Sequence, residues 1–86
     1  MVEATIKDSV AAENAVRRHF DGLYGTKLHE VKFEKVWLQP GNTQDVWQVE
    51  GALILMATLR YKRKHFRIEL DNITGNVVGF EENDTK

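Results

Sequence analysis

Asp45-Val46-Trp47-Gln48-Val49-Glu50-Gly51 and, further on, Phe66-Arg67-Ile68-Glu69-Leu70 alternate apolar with polar residues at period two. That alternation is the signature of strands with one face in a core and the other in solvent. Asp71-Asn72-Ile73-Thr74-Gly75-Asn76 then supplies a turn, and Val77-Val78 opens a closing strand. One-sided strands joined by tight turns predict an antiparallel sheet lying on a core.

Working outward, the segment between the two quoted stretches is Ala52-Leu53-Ile54-Leu55-Met56-Ala57-Thr58-Leu59. Its residues are good helix formers, yet no cap or break signal separates it from the strand before it. We read it as a continuation of that strand, bending at Gly51 and reaching a polar tip around Tyr61–Lys64. The third strand is expected over about His65–Leu70 and the fourth over about Asn76–Glu81. Upstream, Val31–Gln39 is a strand whose alternation changes phase: Val31 and Phe33 have one parity, Val36 and Leu38 the other. A β-bulge near Glu34 or Lys35 would return both pairs to one face, because an inserted residue resets the side-chain period. Trp37 then falls on the outer face or an edge. Pro40-Gly41-Asn42-Thr43 is the intervening turn, with Pro presetting φ and Gly or Asn accepting positive φ.

Before the strands, Asp8 or Ser9 is a good helix N-cap, since a short oxygen-bearing side chain satisfies an otherwise unpaired amide. Ala12, Ala15, Val16, His19, Phe20 and Leu23 follow at helical spacing, with Glu13, Asn14, Arg17, Arg18 and Asp21 opposite. Gly22 and Gly25 offer a stop. The spacing predicts a helix over about Ser9–Asp21, and a polar tail over Glu82–Lys86. The fold class expected is α+β: one N-terminal helix packed on a four-stranded antiparallel sheet, in the order α-β-β-β-β.

The chain of 86 residues is 42% hydrophobic and is read as one domain, ordered over about 8–82. A chain of this size buries somewhat over ~60% of the surface its unfolded form exposes, enough for a single core. Its 12 basic and 13 acidic residues give a formal net charge of −1, without the overall basic excess that a dominant nucleic-acid or anionic-membrane role calls for. With no cysteine, disulfides and thiolate metal sites are excluded. Met1–Lys7 has neither a basic n-region nor an apolar h-region, and the longest apolar stretch, Gly51–Leu59, is far below the ~20 residues of a membrane span. On this reading the chain is soluble and cytoplasmic, an envelope setting requiring a longer exported parent.

Trp47-x-Val49-x-Gly51, with the later Phe66-x-Ile68-x-Leu70-Asp71-x-x-Thr74-Gly75-x-Val77, resembles the PepSY family of small domains. The resemblance covers about Asp8 to Glu82. It implies a cystatin-like helix laid on a sheet that ends in the Asp-x-x-Thr-Gly-x-Val hairpin. It also implies an inhibitory or regulatory binding role, as proposed for domains found in propeptides of secreted metallopeptidases and in cell-envelope proteins. The family has no catalytic residues to carry over.

Side-chain inventory points the same way. Ser9 is the only serine and belongs to the helix start, so a Ser-His-acid triad has no nucleophile beside a base. His19, His29 and His65 contain no short-spaced pair of the kind metal sites use. We therefore expect no catalytic residue, no metal ligand and no cofactor. His19 sits in the middle of the helix's apolar stripe, where a neutral imidazole hydrogen-bonded to a backbone carbonyl is the simpler reading; a small-ligand pocket between helix and sheet is the sharper one. Glu50 and Glu69 would be a carboxylate pair if they shared a cleft, and are a solvated cross-strand ladder if opposed to Arg67 or Gln48.

Two surface features remain. Arg60, Lys62, Arg63, Lys64 and Arg67 put five of the 12 basic residues into one short segment with Tyr61 and Phe66 between them. Such a cluster suits single-stranded nucleic acid, since cations neutralise phosphates and aromatics stack on bases. It equally suits an edge protected from unwanted strand pairing. The second feature is that the second strand is apolar on both parities: Val46, Ile54 and Met56 lie opposite in phase to Trp47, Val49 and Leu55. One helix covers one face, so these three residues are candidates for an interface with a protein partner or a second copy in a homodimer. The leading reading is a non-catalytic binding or regulatory module that presents its sheet to another chain. The rivals are a nucleic-acid-binding domain using the basic cluster and a small-ligand site near His19.

Overall fold

A computed structural model describes residues 6–41 and 45–84. Helix α1 spans Ser9–Tyr24. Asp8 caps it: the residue is extended, and its carboxylate accepts the Ala11 N–H at 2.8 Å. The helix runs through Gly22 and stops at Gly25, whose φ of 58° is the left-handed region that glycine tolerates, and whose N–H donates to the Asp21 carbonyl. Ala12, Val16 and Phe20 are fully buried at spacing i, i+4, i+8. The next member of that row is Tyr24, not Leu23, and Leu23 is 54% exposed. Expecting Leu23 in the core was wrong for that reason: the buried stripe follows the i+4 row around the helix.

After a short 3-10 turn, Gly25–Lys27, come β1 (Leu28–Gln39), β2 (Val46–Met56), β3 (Tyr61–Asp71) and β4 (Val77–Asp84). They form one antiparallel sheet in the order β1-β2-β3-β4, so each strand pairs with its neighbour in the chain. The α+β architecture expected from the sequence, one helix on a four-stranded antiparallel sheet, is the one observed. Of the first expected turn, Asn42 and Thr43 lie outside the described residues, as do Thr85 and Lys86 of the expected tail; Glu82–Asp84 of that tail extend β4.

Three register shifts shape the sheet. Phe33 pairs with Gly51 and Lys35 with Glu50, leaving Glu34 as the extra residue of a bulge. Val31 and Phe33 thus lie opposite Leu53 and Gly51, and Val36 and Leu38 opposite Val49 and Trp47, all on one parity. The phase change in the sequence is this bulge. Gly51 is required beside it, because a Cβ there would collide with the Lys32 carbonyl oxygen and approach Phe66 Cζ to 3.0 Å. A second irregularity isolates His29, and a third, between the pairs Glu69–Gly79 and Leu70–Val77, leaves Val78 unopposed on β4.

β2 is continuous to Met56, as its lack of break signals suggested, but the hairpin tip is Ala57–Arg60, closed by the Ala57 N–H donating to the Arg60 carbonyl at 2.8 Å. Tyr61–Lys64, expected as the tip, are ladder residues of β3. Their charge suggested a loop; pairing with the apolar Leu53–Met56 draws them into the sheet instead.

The core joins Ala12, Val16 and Phe20 to Trp47, Val49, Leu53, Leu55, Phe66, Ile68 and Leu70. Phe20 is its centre, edge-on to Phe66 with ring centroids 4.9 Å apart. Burying such a ring contributes about 1.5–3 kcal/mol. Ile6, in the lead-in to the helix, is also core, tied at both backbone groups: its N–H donates to the Asn72 carbonyl at 3.1 Å, and its carbonyl accepts from Trp47 Nε1 at 3.1 Å. At that end the β3–β4 turn is built on Asp71, whose carboxylate accepts the N–H groups of Ile73 and Thr74 at 2.8 and 3.1 Å, with Gly75 at φ 78° completing it. The Asp71-x-x-Thr74-Gly75 spacing is accounted for by this local chemistry.

Candidate functional site

Because α1 covers one face of the sheet only, the other face carries the exposed chemistry. Its parity on β2 is Val46, Gln48, Glu50, Ala52, Ile54 and Met56. Val46 and Ile54 are partly exposed and Met56 is 50% exposed, so the three expected interface residues share this face. Trp37, half-buried, lies beside them opposite Gln48. Ala52 is fully buried although no helix crosses above it.

Charge on this face is ordered by the register. Glu50 lies opposite Arg67 and Gln48 opposite Glu69. Arg67 Nε donates to Gln48 Oε1 at 3.3 Å and stands 3.9 Å from Glu50 Oε1. The two carboxylates therefore form no pair in one cleft: each faces a basic or amide partner, in a ladder whose pairs contribute about 0.2–1 kcal/mol each. His65 Nδ1 is 3.9 Å from Glu34, the bulge residue, an ion pair when the imidazole is protonated. Around them opens a hollow of about 310 Å³ lined by Glu34, Glu50, His65, Arg67, Glu81 and Asn83.

The basic cluster is divided by strand alternation. Lys62 and Lys64 share the parity of Leu55 and Leu53 and lie on the helix side; Arg63 and Arg67 share that of Ile54 and Glu50, on the open side; Arg60 is in the turn. The single basic loop expected from the sequence is thus two half-clusters and a turn residue. Lys64 Nζ is 2.8 Å from Glu82 Oε1, and the Tyr24 hydroxyl donates to the other oxygen of the same carboxylate. Sequence reasoning missed Tyr24 and Glu82, since the bulge at Val78 shifts the parity of β4 and hides Glu82 among polar residues of a tail.

The three histidines stay apart. His19 is half-buried at the helix flank, 5.5 Å from the Phe20 ring and 5.6 Å from that of Phe80; Phe20 holds the central position expected for it. His29 lies against Tyr61, centroids 4.6 Å apart, and His65 against Glu34. Among the described residues no group of three or more His, Asp or Glu is arranged to hold a metal ion. Nor, among them, is any helix long and apolar enough to cross a membrane.

Comparison with family profiles, with curated proteins and with solved structures found no match.

Proposed function

We propose that this chain is a non-catalytic binding or regulatory module, in the manner of PepSY domains, whose helix-free sheet face receives another protein chain. The observation that carries the reading is the pair of apolar patches at the two ends of β2, Val46 with Trp37 and Ile54 with Met56, on a face that no other described element of the chain covers. Apolar side chains left uncovered on a sheet face beside polar residues mark candidate interaction sites. The rim has both signs, from Arg63 and Arg67 to Glu34, Glu50 and Glu81, so a second copy meets no uniform like charge. A second copy is accordingly the first occupant to test, as a symmetric homodimer.

Sedimentation velocity at about 100 µM reads directly an association whose Kd is in the low micromolar range. The expected result is a dimer for the wild type, and a monomer of unchanged circular dichroism and thermal midpoint for Met56→Glu. A wild-type monomer removes self-association. A dimer unaffected by Met56→Glu and Ile54→Glu places the contact elsewhere and removes the sheet-face reading. Both positions are at least partly exposed, so a charge at either leaves the core intact.

A further inference from the structure

The end of the molecule remote from Ile6 carries a feature that neither the core nor the sheet face accounts for. β2 runs from Val46, beside Asp71, to Met56, beside Tyr61, and the Ala57–Arg60 turn projects past that last pair. In this turn Leu59 is 96% exposed, while Met56, Tyr61 and Leu23 are each at least half exposed. α1 ends there too: Tyr24 and Lys64 share Glu82, and Leu28 pairs with Leu55. Four exposed cations surround the turn, Lys27, Arg60, Lys62 and Arg63. From Gly51 to Ile68 the chain contains no acidic residue, although its net charge is −1. The nearest described acids are Asp84, paired with Lys64 on β3, Glu30, opposite Ile54, and Glu82, engaged by Lys64 and Tyr24.

A single exposed leucine needs no explanation. An apolar crest ringed by cations, at one end of a molecule 50 Å long and 17–23 Å across, has a definite physical complement. We propose that the β2–β3 end is a peripheral docking tip for an anionic bilayer surface. Leu59 and Met56 enter the boundary between headgroups and acyl chains, and Lys27, Arg60 and Arg63 meet lipid phosphates. Between the turn and the end of α1 lies a hollow of about 420 Å³ that brings Lys27 and Lys62 beside Tyr24 and Leu55, room for one phosphate headgroup with apolar carbon beneath it. An acidic peptide fits less well, because the tip is a projection whose most exposed apolar residue, Leu59, has no facing wall. The proposal shares Met56 and Arg63 with the sheet-face reading and rests on Leu59, Arg60 and Lys27, which that reading does not use.

The test is co-sedimentation of the full chain with vesicles of phosphatidylcholine alone and of phosphatidylcholine containing about a third phosphatidylserine. Binding is expected to the anionic vesicles only, weakening as salt rises past the concentration at which the screening length falls below ~10 Å. Arg60→Ala with Arg63→Ala is expected to weaken partition about 30-fold, at roughly fivefold per surface cation. Leu59→Ser, which removes the inserted side chain, is expected to weaken it about tenfold. All three positions are exposed, so the thermal midpoint and the sedimentation coefficient of each variant report an intact fold. Failure to bind anionic vesicles at low salt overturns the proposal, and so does equal binding to neutral ones. Full binding by Leu59→Ser overturns it as well, leaving only a charge patch. Salt-sensitive binding to an oligonucleotide without vesicle binding reassigns the tip to nucleic acid.

Discussion

Gly51→Ala puts the bulge at Glu34 to a quantitative test. An alanine would place its Cβ in collision with the Lys32 carbonyl oxygen, 3.0 Å from the Lys32 carbonyl carbon and 3.0 Å from Phe66 Cζ. Ordinary carbon–oxygen contacts are about 3.3–3.6 Å. The colliding oxygen is backbone, and Phe66 is held edge-on between Phe20 and Phe33, so neither obstacle can swing aside. β1 must retreat from β2, which costs about 1–3 kcal/mol of overpacking strain and about 1 kcal/mol for a stretched ladder hydrogen bond. The expected loss is about 2–4 kcal/mol. Intrinsic preference runs the other way, since alanine is about 0.5–1 kcal/mol better than glycine inside a strand. The sign itself therefore discriminates. Two other glycines serve as references. At Gly79 the atoms nearest a methyl belong to the Glu69 side chain, the carboxyl carbon at 3.1 Å, whose end can rotate away; the expected cost is within about 0.5 kcal/mol. At Gly22, inside α1, it meets nothing within 4 Å, and alanine is expected to stabilise by about 0.8–1 kcal/mol. Urea titration followed by circular dichroism, with m unchanged, reads all three. A Gly51→Ala variant within about 0.5 kcal/mol of wild type, or more stable, would refute the close approach of β1 to Gly51.

Phe20→Ala empties the centre of the core and is expected to cost about 3–5 kcal/mol, a large share of a small domain's stability; a loss below about 1 kcal/mol in the same titration would show that the helix face is misassigned. For the basic segment, single-stranded nucleic acid gives a log–log salt slope near −0.7 per phosphate contact. Lys62 and Lys64 point to one side of the sheet and Arg63 and Arg67 to the other, so no single strand engages all of them. Fluorescence anisotropy with a labelled oligonucleotide is expected to show no binding tighter than about 10 µM at physiological salt. Submicromolar affinity that flattens in slope by about two contacts when Lys62, Arg63 and Lys64 become alanine would reverse that conclusion.

What was legible in the sequence is what local rules govern. The parity change between Phe33 and Val36 announces the Glu34 bulge, because side-chain period in a strand is two and only an extra residue alters it. Asp71, Thr74 and Gly75 announce their turn, because the hydrogen bonds involved span two or three residues. Ile6 was invisible for the opposite reason: its partners, Trp47 and Asn72, are brought to it only by the folded sheet. The extent of β3 was hidden by its charges, which describe how a residue meets solvent and not whether its backbone is paired. The candidate surfaces were half legible. That Val46, Ile54 and Met56 share a face follows from their spacing, whereas the splitting of the basic cluster required knowing that β3 starts at Tyr61. The gathering of Lys27, Tyr24 and Glu82 around the far turn depends on where α1 ends and on the extra residue at Val78, neither of which a pattern of polar residues records.

The irregularities on β1 and β4 also govern how such a sheet can fail. An open meander has two outermost strands with unpaired backbone groups, the usual template for endless lateral addition of further copies into fibrils. Here both outermost strands are interrupted, β1 at His29 and Glu34 and β4 at Val78. An incoming flat strand could zip against only a few residues before meeting an extra one that throws its side chains out of phase. Alternating charge along Glu30, Lys32, Glu34 and Lys35, and the adjacent Glu81 and Glu82 on the other margin, add repulsion or desolvation to any in-register stack. Each margin is thereby a poorer template for lateral addition than an uninterrupted strand would be.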